Sequence, residues 1–370
     1  MSSSKPTNRL LSLDTLRGFD MFWIIGGGAF FLNLSEVTDW NWLEGMSTQL
    51  HHVSWDGFRA WDLIFPLFMF ISGVAIPFAI LSKKKKGVPK SKLVMKIVQR
   101  GLTLVVLGFV YNGILRLQFG ESGFRFASVL GQIGLAYMFA GIIVILTRNY
   151  VSRLIWLGGI LLGYAIIQNF IPVPGFGAGV LTPEGSINGY IDQLLLPGRL
   201  NGGTFDPEGL LCIISAAGIT LMGALAGEVL RNKSWGDYKK ILILTIAGVS
   251  GIVLALILKP FYPVIKSAWT TTFNLLAGGI SFLLLALFYM VIDVWKWRRW
   301  AFLFQIIGLN SITIYLGTQI INFGYTSSFF LGGLSELSDD YSKVIYMGGV
   351  LIVEWLFLYF LYRKKIFLRV

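Results

Sequence analysis

Long apolar runs separated by charged connections dominate the chain. They fall at about residues 16–34, 58–81, 93–115, 128–147, 152–171, 209–230, 241–258, 270–292, 301–321 and 344–362. Each is close to the ~20 residues that a helix needs to cross a bilayer's hydrocarbon core. None shows the period-two alternation, in segments of about ten residues, of a membrane β-barrel strand. A helix satisfies its own backbone hydrogen bonds inside lipid. The pattern therefore predicts an all-α polytopic membrane protein of about ten transmembrane helices. The first run is the weakest, because Asp20 interrupts it and Gly26-Gly27-Gly28 lowers its helix propensity. It follows Lys5 and Arg9 and lacks an A-x-A cleavage pattern, so a retained span is expected rather than a secretory signal.

Charge in the connections alternates. Lys83 to Lys86 with Lys90 and Lys92 follow the second run, and Arg148 with Arg153 the fourth. Arg231, Lys233, Lys239 and Lys240 follow the sixth, and Lys296, Arg298 and Arg299 the eighth; Arg363, Lys364, Lys365 and Arg369 end the chain. The intervening connections hold Glu36, Asp39, Glu44 and Asp56, then Glu184, Asp192, Asp206 and Glu208, then Glu336, Asp339 and Asp340. Basic residues collect in cytoplasmic loops, which predicts that both termini are cytoplasmic. Two of the opposite connections are long, residues 35–57 and 172–208; the second is rich in Gly and Pro and reads as an ordered loop or re-entrant cap.

Composition agrees. Of the 370 residues 55% are hydrophobic and 14% charged, with a mean hydropathy of +0.69, whereas a soluble domain carries about 25% charged residues. The net charge of +12 is accounted for by the basic loops, so no nucleic-acid partner is predicted. A single cysteine, Cys212, and only two histidines leave no disulfide framework and no His- or Cys-rich metal site. Residues 1–370 read as one transmembrane domain.

Both histidines, His51 and His52, lie in QLHHVSWDGFRAWDLIFP, on the acidic side of the membrane. Histidine is readily poised as a general base near neutral pH; interfacial histidines beside Trp55 and Trp61 also suit an aromatic belt. Asp62 is expected roughly 7–8 Å into a helix starting near Gly57, facing a polar cavity or a partner. Asp14 and Arg17 share a helix face, as an interfacial ion pair or an anion site. Asp206 and Glu208 open the sixth run, where they also suit a helix start. Lys266 and Trp269 stand on the outer side, where positive charge is scarce, and Asn310 puts a polar side chain inside a span.

The stretches LDTLRG, HVSWDGFRAWDLIFP, FDPEGLL, PVIKSAWTTTF and GLNSITIY, in this order, resemble the heparan-α-glucosaminide N-acetyltransferase family of transmembrane acyltransferases. The resemblance implies transfer of an acetyl group from cytoplasmic acetyl-CoA to an amino sugar across the membrane. It places the catalytic histidine of the H-x-S-W-x-G motif at His52, not His51. A third group commonly orients such a base, and Asp62 or another carboxylate is expected to hold the imidazole tautomer. Asp14, Trp55, Asp206, Glu208, Lys266, Trp269 and Asn310 match by motif and are expected to bind substrate. Arg17, Lys96 and Arg100, near the inner face, suit CoA phosphates. An asparagine of the animal enzymes is replaced by Ile24, and an arginine by Gln132. Their large lumenal domain has no counterpart, which implies a bacterial-type member in the inner membrane. A homodimer stays open. Two other readings are a transporter coupled through Asp14, Asp20 and Asp62, and a non-catalytic membrane scaffold.

Overall fold

A computed structural model describes residues 10–116, 123–338 and 340–368, so that Lys5, Arg9, Asp339 and Arg369 of the charge pattern lie outside the described residues. All ten apolar runs are helical, and the described residues hold isolated β-bridges but no strand. The helices are α1 (Leu11–Phe22), α2 (Gly28–Glu36), α3 (Asn41–Gln49), α4 (Ala60–Lys85), α5 (Lys90–Tyr111), α6 (Val129–Leu146), α7 (Tyr150–Phe170) and α8 (Ile187–Leu195). They continue as α9 (Leu210–Arg231), α10 (Asp237–Leu258), α11 (Thr271–Val294), α12 (Ala301–Leu309), α13 (Ser311–Ile320), α14 (Phe323–Glu336) and α15 (Ser342–Arg363).

Among the described residues, eight helices are long and apolar enough to cross a membrane, or nine if α12 and α13, bent by 71°, form one span. The first predicted run is the remaining one. There α1 and α2 are joined through Trp23–Gly27, where Gly26 takes φ +145°, a conformation that glycine tolerates far better than other residues. The long outer connections are not structureless: α3 lies in the first and α8 in the second.

The described residues group into two compact units. One holds those of Met1–Leu50, Asp237–Ile241 and Leu284–Arg369, the other His51–Gly236 and Leu242–Leu283. In the first unit α1 packs against α12 with almost no side chain between them. A Cβ on Gly18 would fall 1.7 Å from the Phe304 carbonyl oxygen, and one on Gly308 1.8 Å from that of Asp14. In the second unit α9 is the central helix, with 78% of its apolar window buried, against 17% for α7 and α10. It lies on α4 through Gly223 and Gly227, whose added Cβ atoms would meet the Phe70 and Val74 carbonyls. Small residues let helices approach closely in lipid, where packing rather than the hydrophobic effect drives association. Below this contact Ile76, Ile80, Leu93, Ile97, Tyr137 and Leu221 form an apolar cluster.

Candidate active site

The segment between α3 and α4 carries both histidines, and a second loop holds it in place. Asp56 and Ile265 form an antiparallel bridge, Gly57 N donates to the Val264 carbonyl (2.9 Å), and Val264 N donates to Asp56 Oδ1 (3.2 Å). Gly57 takes φ +131° to make this turn. The pairing brings the loop between α10 and α11, with Lys266, against His52.

Helix α4 starts at Ala60 rather than near Gly57, so Asp62 sits in its first turn and not roughly 7–8 Å inside, as a start at Gly57 would place it. Its Oδ2 accepts from Arg59 N (3.0 Å), a helix-start bond, and its Oδ1 lies 2.6 Å from His52 Nδ1. Asp62 is fully buried, while the His52 side chain is half exposed. A carboxylate facing Nδ1 selects the tautomer with hydrogen on Nδ1, which leaves the Nε2 lone pair free. Lys266 Nζ stands 3.1 Å from Nδ1, 3.3 Å from Nε2 and 3.6 Å from Asp62 Oδ1. Burial pushes the Lys266 ammonium below its ordinary range, and the charges of Asp62 and Glu208 pull it back.

Beside this trio, Arg125 grips the entry to α9. Its Nε and Nη2 donate to the two Asp206 oxygens (2.8 and 2.6 Å), and Nη2 also donates to Glu208. The two carboxylates hold the Arg125 guanidinium above its ordinary range against the opposing pull of burial. Burial pushes the Glu208 carboxyl up to about 7, opposed by Arg125 and reinforced by Asp206. Asp206 and Glu208 do not satisfy the free N–H groups of α9 themselves. Asp192 of α8 does so, accepting from Leu210 N (2.9 Å) and Asp206 N (3.3 Å), and burial raises it to about 6.

Trp269 is wholly buried and non-glycine at φ +48°, a strained conformation that surrounding contacts must enforce. Its indole N–H donates to the Pro207 carbonyl (2.9 Å), and its own carbonyl accepts from Ser215 Oγ (2.6 Å). The preceding Ala268 carbonyl accepts from Tyr164 Oη (2.8 Å) and Gln168 Nε2 (2.9 Å). Trp269 thus supports the Lys266 loop from inside. Trp55 donates its indole N–H to the Leu181 carbonyl (2.6 Å), with its ring edge-on to Phe205.

Of the predicted residues, His52, Asp62, Lys266, Asp206, Glu208 and Trp269 are brought together. Lys96 is exposed on α5, and Arg100 stacks on the Tyr137 ring (4.5 Å) while donating to its hydroxyl (3.1 Å). Gln132 is buried with both amide atoms unpartnered. In the first unit Arg17 donates to the buried Asp14 (3.2 Å). Asn310 stands at the bend between α12 and α13, where it bonds the Ile366 carbonyl and Leu368 N of the tail. Arg125 escaped the sequence reading. Its signal was the one that marked Lys266, a cation on the side where cations are scarce.

A family profile described as a domain of unknown function (DUF5009) matches residues 9–117. The heparan-alpha-glucosaminide N-acetyltransferase of Homo sapiens is 26% identical over 423 aligned residues, covering 98% of this chain and 60% of the human protein. The chain is similar to that enzyme along almost its whole length. The Mus musculus enzyme of the same name is also 26% identical, with 98% and 61% covered. The resemblance carried by the five motifs is thereby shown, and with the apolar helices it makes this chain an integral multi-pass membrane protein. The chain spans about three-fifths of the length of the curated relatives it matches.

Proposed function

We propose that this chain is a transmembrane N-acetyltransferase that moves the acetyl group of cytoplasmic acetyl-CoA to an amino sugar on the other side of the membrane. The observation that carries the reading is the buried Asp62 carboxylate on Nδ1 of the half-exposed His52 ring. A base oriented by a third group is the arrangement acyl transfer uses. As the amine attacks the thioester carbonyl, its proton goes to Nε2. The new C–N bond replaces the C–S bond, and CoA leaves as the thiol. A route through an acetyl group carried on Nε2 uses the same arrangement.

Asp206 and Glu208, turned toward Arg125, and the cation of Lys266 shape the acceptor side, with Trp55 over its rim. Trp269 acts through the loop it supports. Lys96 and Arg100 on α5 suit the CoA phosphates at the inner end, as does Arg17 on α1. For the transporter reading, Asp62 is committed to His52 and Asp14 to Arg17. The reading further places the chain in a cell membrane, with its basic loops and both termini in the cytoplasm. The test is mass spectrometry of amino sugars and glycans incubated with purified protein and labelled acetyl-CoA. Transfer to a primary amine of a sugar supports the reading. Solute uptake without any acetyl transfer overturns it.

A further inference from the structure

If the proposed chemistry is right, an acceptor amine must come within about 3–3.5 Å of the base that deprotonates it. One amine of the chain already stands there, because Lys266 Nζ lies over the His52 ring, 3.1 Å from Nδ1 and 3.3 Å from Nε2. We propose that Lys266 is an internal acetyl acceptor, so that without a sugar amine the site acetylates its own lysine and shuts itself off. This rests on the acetyltransferase reading above.

The step balances as the sugar reaction does. Lys266 enters as the free amine, the thioester C–S bond breaks, an Nζ–C amide bond forms, and the amine proton passes through His52 to the departing CoA thiolate. The geometry serves the covalent route equally, since an acetyl group on Nε2 would present its carbonyl carbon beside Nζ. The product replaces a cation with a neutral and bulkier amide beside the His52–Asp62 pair, where the acceptor must enter.

The brake is electrostatic. Asp62 Oδ1 lies 3.6 Å from Nζ, and Glu208 adds a second negative charge. Both favour the ammonium, which cannot attack. Burial works in the opposite direction. The other charged groups nearby are committed elsewhere: Arg59 Nη1 donates to the His52 carbonyl (3.3 Å), and Arg125 holds Asp206 and Glu208. A bound sugar would both consume the acetyl group and shield Nζ, so turnover protects the site.

The experiment uses the full-length purified protein with isotope-labelled acetyl-CoA from pH 6.5 to 9, with and without glucosamine, followed by peptide mass spectrometry. The expected result is one acetyl group on Lys266, at a rate independent of protein concentration. That rate should rise by about tenfold per pH unit while the ammonium predominates, and fall when glucosamine is added. Exposed Lys343 gives the background, and the label should be lost in Lys266→Arg and in His52→Ala. Transfer to glucosamine with Lys266 at background throughout would overturn the inference and leave the acetyltransferase reading standing. Labelling at full rate in His52→Ala would mark ordinary chemical acetylation and overturn it too. No transfer to glucosamine or to Lys266 would overturn both readings.

Discussion

His51 and His52 are adjacent and exposed, and it is His52 whose Nδ1 meets the buried Asp62 carboxylate. Replacing His52 by Ala removes the base and should lower acetyl transfer by about 10²–10⁴-fold, the usual worth of general-base catalysis. His51→Ala should lose far less. Rates of both variants at saturating acetyl-CoA, with melting temperatures alongside, make the comparison. A dead His51→Ala beside an active His52→Ala would reverse the assignment. This pair was legible through the H-x-S-W-x-G motif of the resemblance, since the polar pattern alone left an aromatic belt open. The partners that position it were not, since nothing in a one-dimensional pattern says that residues 56 and 265 bridge. Asp192 shows the same limit. Its pattern reads as one more outer acidic residue, yet it is the buried acceptor at the start of α9. Its carboxyl titrates near 6 when folded and near 3.9 unfolded. The folded state therefore holds more protons between about pH 4 and 6, so stability falls as pH rises through that window and is flat above it. The cost at neutral pH is about 3 kcal/mol. Asp192→Asn keeps an acceptor oxygen and loses the charge, so its melting temperature should lack this decline between pH 4.5 and 6.5, whereas Asp192→Ala should be less stable at every pH.

Elements were read well where lipid imposes the rule and poorly where a helix breaks. All ten apolar runs are helical, because a run of about 20 apolar residues has few other options in a bilayer. The break at Gly26 was visible only as a glycine run. The bend at Asn310 was not visible, because there the side chain holds the tail rather than a neighbouring helix. The contact of α4 with α9 rests on the absence of side chains. A Cβ at Gly73 would fall 1.9 Å from the Thr220 carbonyl, and one at Gly223 1.9 Å from that of Phe70. Backbone cannot yield as a flexible side chain does, so Gly73→Val or Gly223→Val must push the helices apart. Each should cost about 1–3 kcal/mol or more, read as a lower melting temperature and poor yield in detergent. Gly158→Val, on the open face of α7, meets nothing within 4 Å and should keep wild-type values. At the mouth of α9, Arg125→Ala would leave Asp206 and Glu208 buried without their cation, a loss of about 3–5 kcal/mol. Arg125→Lys should recover only part of this, because an ammonium cannot reproduce the two-pronged grip on Asp206.

At the scale of the whole chain, orientation hangs on parity. Among the described residues, eight helices with α12 and α13 counted as one bent span make nine, an odd number that would put the two termini on opposite faces. Two cytoplasmic termini require the α1–α2 segment to cross as the tenth, despite Asp20 and the turn at Gly26. Charge favours the crossing. Lys5, Arg9 and Arg17 precede or open this segment and Glu36, Asp39 and Glu44 follow it, so a segment that did not cross would leave that basic start on the acidic face. Helix length supports it too, since Leu11–Glu36 is longer than the ~20 residues a crossing needs. Single cysteines in a Cys212→Ala background decide the matter with an impermeant maleimide on intact and permeabilised cells. Cysteines at Glu44 and Ser338 should label in intact cells, and cysteines at Ser3, Lys85 and Lys364 only after permeabilisation. Labelling of the Ser3 position in intact cells would mean that the α1–α2 segment does not cross. Labelling of the Lys364 position in intact cells, with Lys85 still protected, would leave an odd number of crossings after α4. A Glu44 position protected along with Lys85 would show that these two sites share a face, which removes α4 as a single crossing between them. In that case His52, at the outer mouth of α4, would lose its place opposite the cytoplasmic donor.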